Sequence, residues 1–119
     1  MDIRVKRAYE APSDEDGMRV LVDRLWPRGL TREKAHVDLW LKELAPSTEL
    51  RKWFNHEPDK WETFKQRYLQ ELERQPEAMA HAIATMGRGR VTLLSAAKDE
   101  RFNNAVALRE FILARRRMH

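Results

Sequence analysis

The run from Met18 to Leu25 constrains the fold more than any other stretch of this 119-residue sequence. Its centre, positions 20–22, is apolar at three consecutive residues, and two of them are β-branched. Continuous apolar runs are typical of strands that are covered on both faces, as in parallel sheets. Pro27 and Gly29 follow at once and mark the turn that ends the predicted strand.

Two further runs predict strands. Ile3 and Val5 alternate with charged residues, which is the pattern of a short, half-buried strand at the edge of a sheet. The sequence VTLLS at positions 91–95 is mostly apolar and lies between turn residues, so it predicts a second buried strand.

The clearest helix of the sequence has one apolar stripe that extends over three turns. The stripe is formed by Trp61, Phe64, Tyr68 and Leu72. Asp59 and Glu62, three residues apart, have the spacing of a capping box and predict the start of this helix.

Cap and stop residues predict three more helices. Ser47 can cap a short helix, and a longer one begins near Pro76 and stops at Gly87. The last helix opens at Asn103 or Asn104. Thr31 to Ala45 fits two patterns, because its apolar residues have helical spacing and positions 37, 39 and 41 also alternate as in a strand. Periodicity alone favours a helix there.

Strands interspersed with helices predict an α/β fold, here one domain over residues 1–119 with a small, mostly parallel sheet flanked by helices. Ligands of such folds bind beyond the carboxyl ends of the strands. Two charged segments fall at predicted strand ends: Asp23 to Gly29 and Ser95 to Asn104. If positions 37–44 form a strand, Ser47 joins them.

The composition narrows the chemistry and the partners. The chain has no cysteine, which excludes a disulfide framework, a thiolate metal cluster and a nucleophilic thiol. It has no apolar run of signal-peptide or membrane-span length, so we expect a cytoplasmic protein without a membrane partner. The formal net charge of +4 favours anionic partners. Acids and bases interleave, however, which disfavours nucleic acid, and the basic run Arg115 to Arg117 suits a helix end.

A small anion is the ligand that these strand ends predict. Guanidinium groups present planar forks to phosphate or carboxylate, and the other candidates add charge or hydrogen bonds. The candidate anion-binding residues are Arg24, Arg28, Lys98, Arg101, Asn103 and Ser47. Asp23 and Asp99 are the candidates for proton transfer if the protein is an enzyme.

Each candidate also has a purely structural interpretation. Arg24 could pair with Asp99, and Asp23 with Arg28, to hold two loops together. Asp99 could instead cap the last helix. Trp26 follows a core strand beside a proline and is best interpreted as covering the core.

The sequence indicates no metal and no cofactor. The histidines at positions 36, 56, 81 and 119 are isolated and make no metal-ligand spacing. No glycine-rich nucleotide motif follows a strand, and Ser95 lacks the turn that exposes a hydrolase nucleophile.

Four motifs carry a family resemblance: DG-MRVLVDRLWPRGL from position 16, LKELAPSTELRKWF from 41, WETFKQRYLQEL from 61 and VTLLSAAKDERFNNAVALREFI from 91. Together they cover nearly the whole chain, which is similar to the YeaO-like family of small bacterial proteins of unknown function. The resemblance implies a Rossmann-like, three-layer α/β fold and favours a strand at positions 37–44. It implies no biochemical activity.

Three hypotheses follow for the function. The first is an enzyme, or a former enzyme, that acts on a small phosphorylated or carboxylated molecule. The second is a nucleic-acid-binding or protein-interaction module that uses the basic surface. The third is an oligomeric structural protein, which light scattering would detect.

Overall fold

The centre of the molecule is a four-stranded sheet in which every pair of neighbouring strands is parallel. The structure is a computed structural model that describes residues 2–117. The strands are β1 (Ile3–Arg7), β2 (Met18–Leu21), β3 (Leu39–Trp40) and β4 (Val91–Ser95). Their order is β1-β4-β2-β3, so the strand that comes last in the chain lies inside the sheet. The predicted α/β class with a parallel sheet is confirmed.

In the described part of the chain, five α-helices and three 3-10 turns accompany the strands. The helices are α1 (Arg32–Ala35), α2 (Thr48–Phe54), α3 (Trp61–Glu73), α4 (Pro76–Met86) and α5 (Asn104–Arg117). The 3-10 turns are Asp14–Asp16, Lys42–Leu44 and Pro58–Lys60. Within residues 2–117, no helix is long and apolar enough to cross a membrane.

The main core lies between one face of the sheet and helices α2 to α5. Alternate strand residues point to this face because side chains alternate along a strand. The buried ones are Ile3, Val20, Val91 and Leu93. Facing them are the apolar stripes of the helices, which include Phe54, Phe64, Tyr68, Leu72 and Leu108. The predicted stripe of the clearest helix is therefore confirmed as core.

The buried phenol of Tyr68 is tied to the backbone. Its hydroxyl donates a hydrogen bond to the Leu44 carbonyl oxygen at 2.6 Å. Burial, together with the nearby carboxylates of Asp23 and Glu71, raises the pKa of Tyr68 above its ordinary value, so the phenol stays protonated and remains a donor.

The second face of the sheet is covered by shorter segments. Leu21, Leu94 and Ala8 form a small apolar cluster there. Trp26 packs against this cluster, and its indole Nε1 donates to the Leu30 carbonyl oxygen at 2.6 Å. The interpretation of Trp26 as a residue that covers the core is confirmed.

A buried ion pair joins these covering segments to the same face. Arg19 of β2 lies 2.6 Å from Asp16, with side chains that are only 4% and 6% exposed. Lys6 of β1 adds a second cation 3.1 Å from the same carboxylate. The Arg19 Nε also donates to the Ala35 carbonyl oxygen at the end of α1. One guanidinium therefore links β2, the 3-10 turn and α1.

The hydrogen bonds that Asp16 accepts lower its pKa by more than burial raises it. Burial alone raises the pKa of this carboxyl, but donors from the Ser13 amide, Lys6 and Arg19 favour the ionised form. The pKa of Asp16 is therefore held below its ordinary value of 3.8.

Two boundaries predicted from sequence were wrong. β2 ends at Leu21 rather than Leu25, because Asp23 and Arg24 leave the ladder and bond to neighbouring loops. The capping box of Asp59 and Glu62 is absent, since α3 begins at Trp61 directly after a 3-10 turn and has no side-chain cap. The predicted cap Ser47 is confirmed, because its Oγ accepts from the Leu50 amide at 3.1 Å.

The helix that periodicity favoured between Thr31 and Ala45 was also wrong. Only Arg32–Ala35 is α-helical and Lys42–Leu44 forms a 3-10 turn. His36 ends α1 in a left-handed conformation with φ 48°. Asp38 then pairs with Arg19, its amide donating to the Arg19 carbonyl and its carboxylate accepting from the Arg19 amide. These bonds draw the chain alongside β2, so β3 forms over two residues. The strand that the family resemblance favoured is confirmed there.

Asp16→Asn should destabilise the protein by roughly 3–5 kcal/mol at neutral pH, because it leaves the buried Arg19 guanidinium without its counter-charge. Since the folded-state pKa of Asp16 lies below 3.8, its contribution is fully present above about pH 5 and is lost as the pH falls through the lowered value. Urea unfolding of wild type and variant at several pH values measures this difference.

Asp14→Asn is the matched control, because Asp14 is exposed in the same 3-10 turn. We expect it to change the free energy of unfolding by no more than about 0.5 kcal/mol. Equal effects of the two substitutions would contradict a stabilising role for the Asp16–Arg19 pair.

Candidate functional site

A cleft of about 380 Å³ opens where β2 and β4 end. One wall is the segment after β2, with Asp23 and Arg24, and the opposite wall is the segment after β4, with Ala96 and Ala97. The end of α2 and the residues before it close the third side. The cleft therefore lies beyond the carboxyl ends of parallel strands, where α/β folds bind their ligands.

Asp23 fixes the geometry at the base of this cleft. Its Oδ2 accepts from the Ala96 amide at 2.7 Å, and its Oδ1 accepts from Asn104 Nδ2 at 3.0 Å. The same amide nitrogen of Asn104 donates to the Val22 carbonyl at 2.9 Å, while its Oδ1 accepts from the Ser95 hydroxyl. Three segments that are distant in sequence are thus joined by one set of polar side chains.

Two arginines line the cleft. The guanidinium of Arg24 is anchored on backbone carbonyls, with Nη2 3.2 Å from the Ala45 oxygen and Nε 3.4 Å from the Pro46 oxygen. Arg51 extends from α2 and is exposed. Neither arginine forms an ion pair with a carboxylate of residues 2–117. Their charge is therefore available to a ligand, and Arg24 is already oriented by its backbone contacts.

An aromatic wall completes the cleft. Asn55 and His56 are consecutive residues in the left-handed region, with φ 47° and 54°. This backbone turns the chain at the end of α2 and sets the His56 ring 6.0 Å from the ring of Phe54. Phe54 in turn stacks on Phe64 at 4.4 Å. All three rings line the cleft, and only His56 is exposed.

The structure brings together three of the residues predicted from sequence. Asp23, Arg24 and Asn103 line the cleft. Asn103 is buried, and both ends of its side-chain amide bond to neighbouring backbone. Its Oδ1 caps α5 by accepting from the Val106 amide, and its Nδ2 donates to the Asp99 carbonyl. The prediction that an asparagine opens the last helix is confirmed.

The other predicted site residues are outside this cleft. Arg28, Lys98 and Arg101 are exposed and do not line it. Ser47 lines a separate groove, where its amide and hydroxyl both donate to the carboxylate of Glu71.

Asp99 also lies apart from the cleft. Its Oδ1 accepts from the amides of Phe102 and Arg101, and these two bonds lower the pKa of its carboxyl. Asp99 therefore stabilises the turn before α5. The interpretation that Asp99 caps the last helix is wrong, because Asn103 accepts from the Val106 amide there.

Neither of the loop-joining ion pairs considered from sequence is present within residues 2–117. Arg24 bonds to carbonyl oxygens instead of Asp99, and Asp23 bonds to an amide and to Asn104 instead of Arg28. In the same range, no cluster of three or more histidine or acidic side chains could hold a metal ion. His119 lies outside the described residues.

Sequence reasoning missed Arg51, His56 and Asn104. Arg51 and Phe54 are three residues apart on α2 and therefore share a face, which is a signal that periodicity carries. His56 was not predictable in this way, because its position depends on two successive left-handed residues rather than on helical spacing.

Comparison with known proteins places the chain in a family. A family model described as the inactive DUF488-N3 subclade matches residues 2–118. The chain belongs to this subclade. Its relatives include the uncharacterised protein YeaO of Escherichia coli K12, which is 42% identical over 113 residues that span 94% of this chain and 97% of YeaO. The predicted resemblance to the YeaO-like family is confirmed.

Mycobacterial proteins are also similar to this chain over nearly its whole length. An uncharacterised protein of Mycobacterium tuberculosis H37Rv is 38% identical over 113 residues, 95% of each chain, and a Mycobacterium bovis protein matches equally. No solved structure matches this member of the DUF488-N3 subclade. Its cleft is therefore interpreted from its own residues.

Asn104→Asp should destabilise this DUF488-N3 protein by about 2 kcal/mol or more at pH 7. The substitution keeps the shape but replaces the amide donor 3.0 Å from Asp23 with a second carboxylate. Urea unfolding measures the loss. Asn55→Asp, at an exposed position, should cost less than about 1 kcal/mol, because it only places a carboxylate at the carboxyl end of α2. An equal loss in both variants would contradict the role of the Asp23 network.

Proposed function

We propose that the protein binds a small phosphorylated or carboxylated molecule in the cleft between β2 and β4. The observation that carries the proposal is the Arg24 guanidinium, which two backbone carbonyls hold at the cleft without a carboxylate partner among residues 2–117. A planar guanidinium that is oriented in advance loses little freedom when it binds an oxyanion.

The charge balance of the cleft supports an anionic ligand. Arg24 and Arg51 contribute two fixed positive charges, and Asp23 contributes one negative charge. Both oxygens of Asp23 already accept hydrogen bonds from the protein, so its charge is partly satisfied by Ala96 and Asn104. The net charge of these three side chains is therefore positive.

The arrangement favours binding over turnover. Asp23 is held by two hydrogen bonds, and Asp99 is bonded to backbone amides outside the cleft. A general base must be within reach of the proton it removes, and neither acid is free in that way. The description of the matching subclade as inactive agrees with a binding role.

The nucleic-acid alternative finds less support. It relies on the basic run at the end of α5, and Arg116 of that run donates to the carbonyls of Ile83 and Gly87 at the end of α4. A cation at the end of a helix satisfies carbonyls that lack a partner, so this arginine has a structural role. A small anion remains the better proposal.

Arg51→Gln should weaken binding of inorganic phosphate about tenfold or more, because it removes a charged donor while leaving the fold intact. Arg24→Gln should weaken it at least as much. Isothermal titration calorimetry at fixed ionic strength measures both. In wild type, phosphate at a hundredfold excess over its dissociation constant should add about 2.7 kcal/mol to the free energy of unfolding.

Arg28→Gln is the matched control, since Arg28 is equally exposed and follows the same strand but does not line the cleft. It should leave the phosphate affinity unchanged. If all three variants bind phosphate like wild type, or wild type does not bind it, the proposed site is wrong. If only Arg28→Gln weakens binding, the anion is bound by the turn after β2 instead.

A further inference from the structure

The aromatic wall of the cleft has a feature that an oxyanion alone would not use. His56 is exposed at the mouth, and Phe54 and Phe64 continue the wall inwards as a stacked pair. Phe54 and His56 lie at and just after the end of α2, which also contributes Arg51 to the cleft, whereas Arg24 comes from the segment after β2. If the anionic group of a ligand binds the arginines, the rest of the ligand therefore lies against the rings of the aromatic wall.

The backbone at His56 is a second, independent observation. Asn55 is the left-handed cap that ends α2, with its amide donating to the Arg51 carbonyl oxygen. His56 follows in the same left-handed region without capping a helix, at a cost in conformational energy that the surrounding structure must offset. Such residues concentrate at ligand sites. Here the conformation directs an imidazole to the open end of the aromatic wall.

The size of the cleft agrees with a ligand that has a body. At about 380 Å³ it falls within the range of clefts that hold organic molecules rather than single ions. The polar side chains at its base are satisfied by the protein, since Asn104, Ser95 and Asp23 bond to one another. The space between base and rim therefore suits an apolar group.

We propose that the ligand is an aromatic phosphate or carboxylate, whose planar ring packs against His56 and Phe54 while its anionic group is bound by Arg24 and Arg51. This inference rests on the proposed anion site and adds that the ligand carries an aromatic ring. His56 is then the residue that determines specificity for a ring, because it is the exposed member of the wall.

Calorimetric titration of wild type with inorganic phosphate, phenyl phosphate and cyclohexyl phosphate tests the proposal. Phenyl phosphate should bind about tenfold or more tightly than phosphate, because it buries an apolar ring. Cyclohexyl phosphate, of similar apolar area but without a planar ring, should gain clearly less. Acetate and benzoate provide the same comparison for carboxylates.

His56→Asn removes the ring and keeps a residue type that tolerates the left-handed region. We expect it to abolish the gain of phenyl phosphate over phosphate, measured as the ratio of the two dissociation constants within the same variant. His36→Asn is the matched control, since His36 is also an exposed left-handed histidine but lies at the end of α1 outside this cleft. It should keep the full gain.

The outcomes separate this inference from the anion site. If phosphate binds but neither phenyl phosphate nor benzoate binds more tightly than its simple anion, the ring inference is overturned and the anion site stands. A gain that survives in His56→Asn, or that cyclohexyl phosphate matches, overturns it as well. If neither simple nor aromatic anions bind, both proposals fail.

Discussion

The carboxylate of Asp23 joins the parts of the molecule that form its cleft. It connects the exit of β2 to the amide of Ala96 after β4 and to Asn104 at the start of α5, across 81 residues of sequence. Without these bonds, two adjacent parallel strands would end in loops that are free to separate. With them, the strand ends and the last helix share one hydrogen-bonded base, and the side chains around it have fixed positions.

The sheet is stabilised differently on its two faces. One face packs against four helices and is stabilised by apolar burial. The other has only a small apolar cluster, and Asp16 and Arg19 are buried beside it. A buried pair of charges requires close geometry and several donors, and the Ser13 amide and Lys6 provide them. The pair therefore fixes how the short covering segments attach to the sheet.

The sequence predicted elements whose signal is local and repeated. The stripe of α3, the stop of α4 at Gly87 and the buried run of β4 all lie where periodicity and turn residues indicate them. Periodicity favoured a helix where β3 forms, because the pairing of this strand depends on Asp38 and Arg19, which are 19 residues apart. Two residues of strand are too short for any periodic pattern.

The site was predictable only in part for the same reason. Asp23 and Arg24, but not Arg28, line the cleft as predicted, because parallel strands bring their carboxyl ends to one edge. Which arginines enter the cleft depends on the docking of α2 and on the turn at Asn55, and neither has a signature in a single sequence. Without that packing, the sequence could not show that Arg51 rather than Arg28 lines the cleft.

The position of β4 inside the sheet also determines when the molecule can fold during synthesis. Ile3 of β1 and Met18 of β2 both pair with Val91, so the first two strands have no neighbour in common until the last strand has been made. Helices α3 and α4 can form earlier from local contacts, but their apolar faces have no complete sheet to cover. On a ribosome the chain therefore emerges with β1 separate from the β2–β3 pair and with exposed apolar helices, and it becomes native only when β4 inserts between β1 and β2.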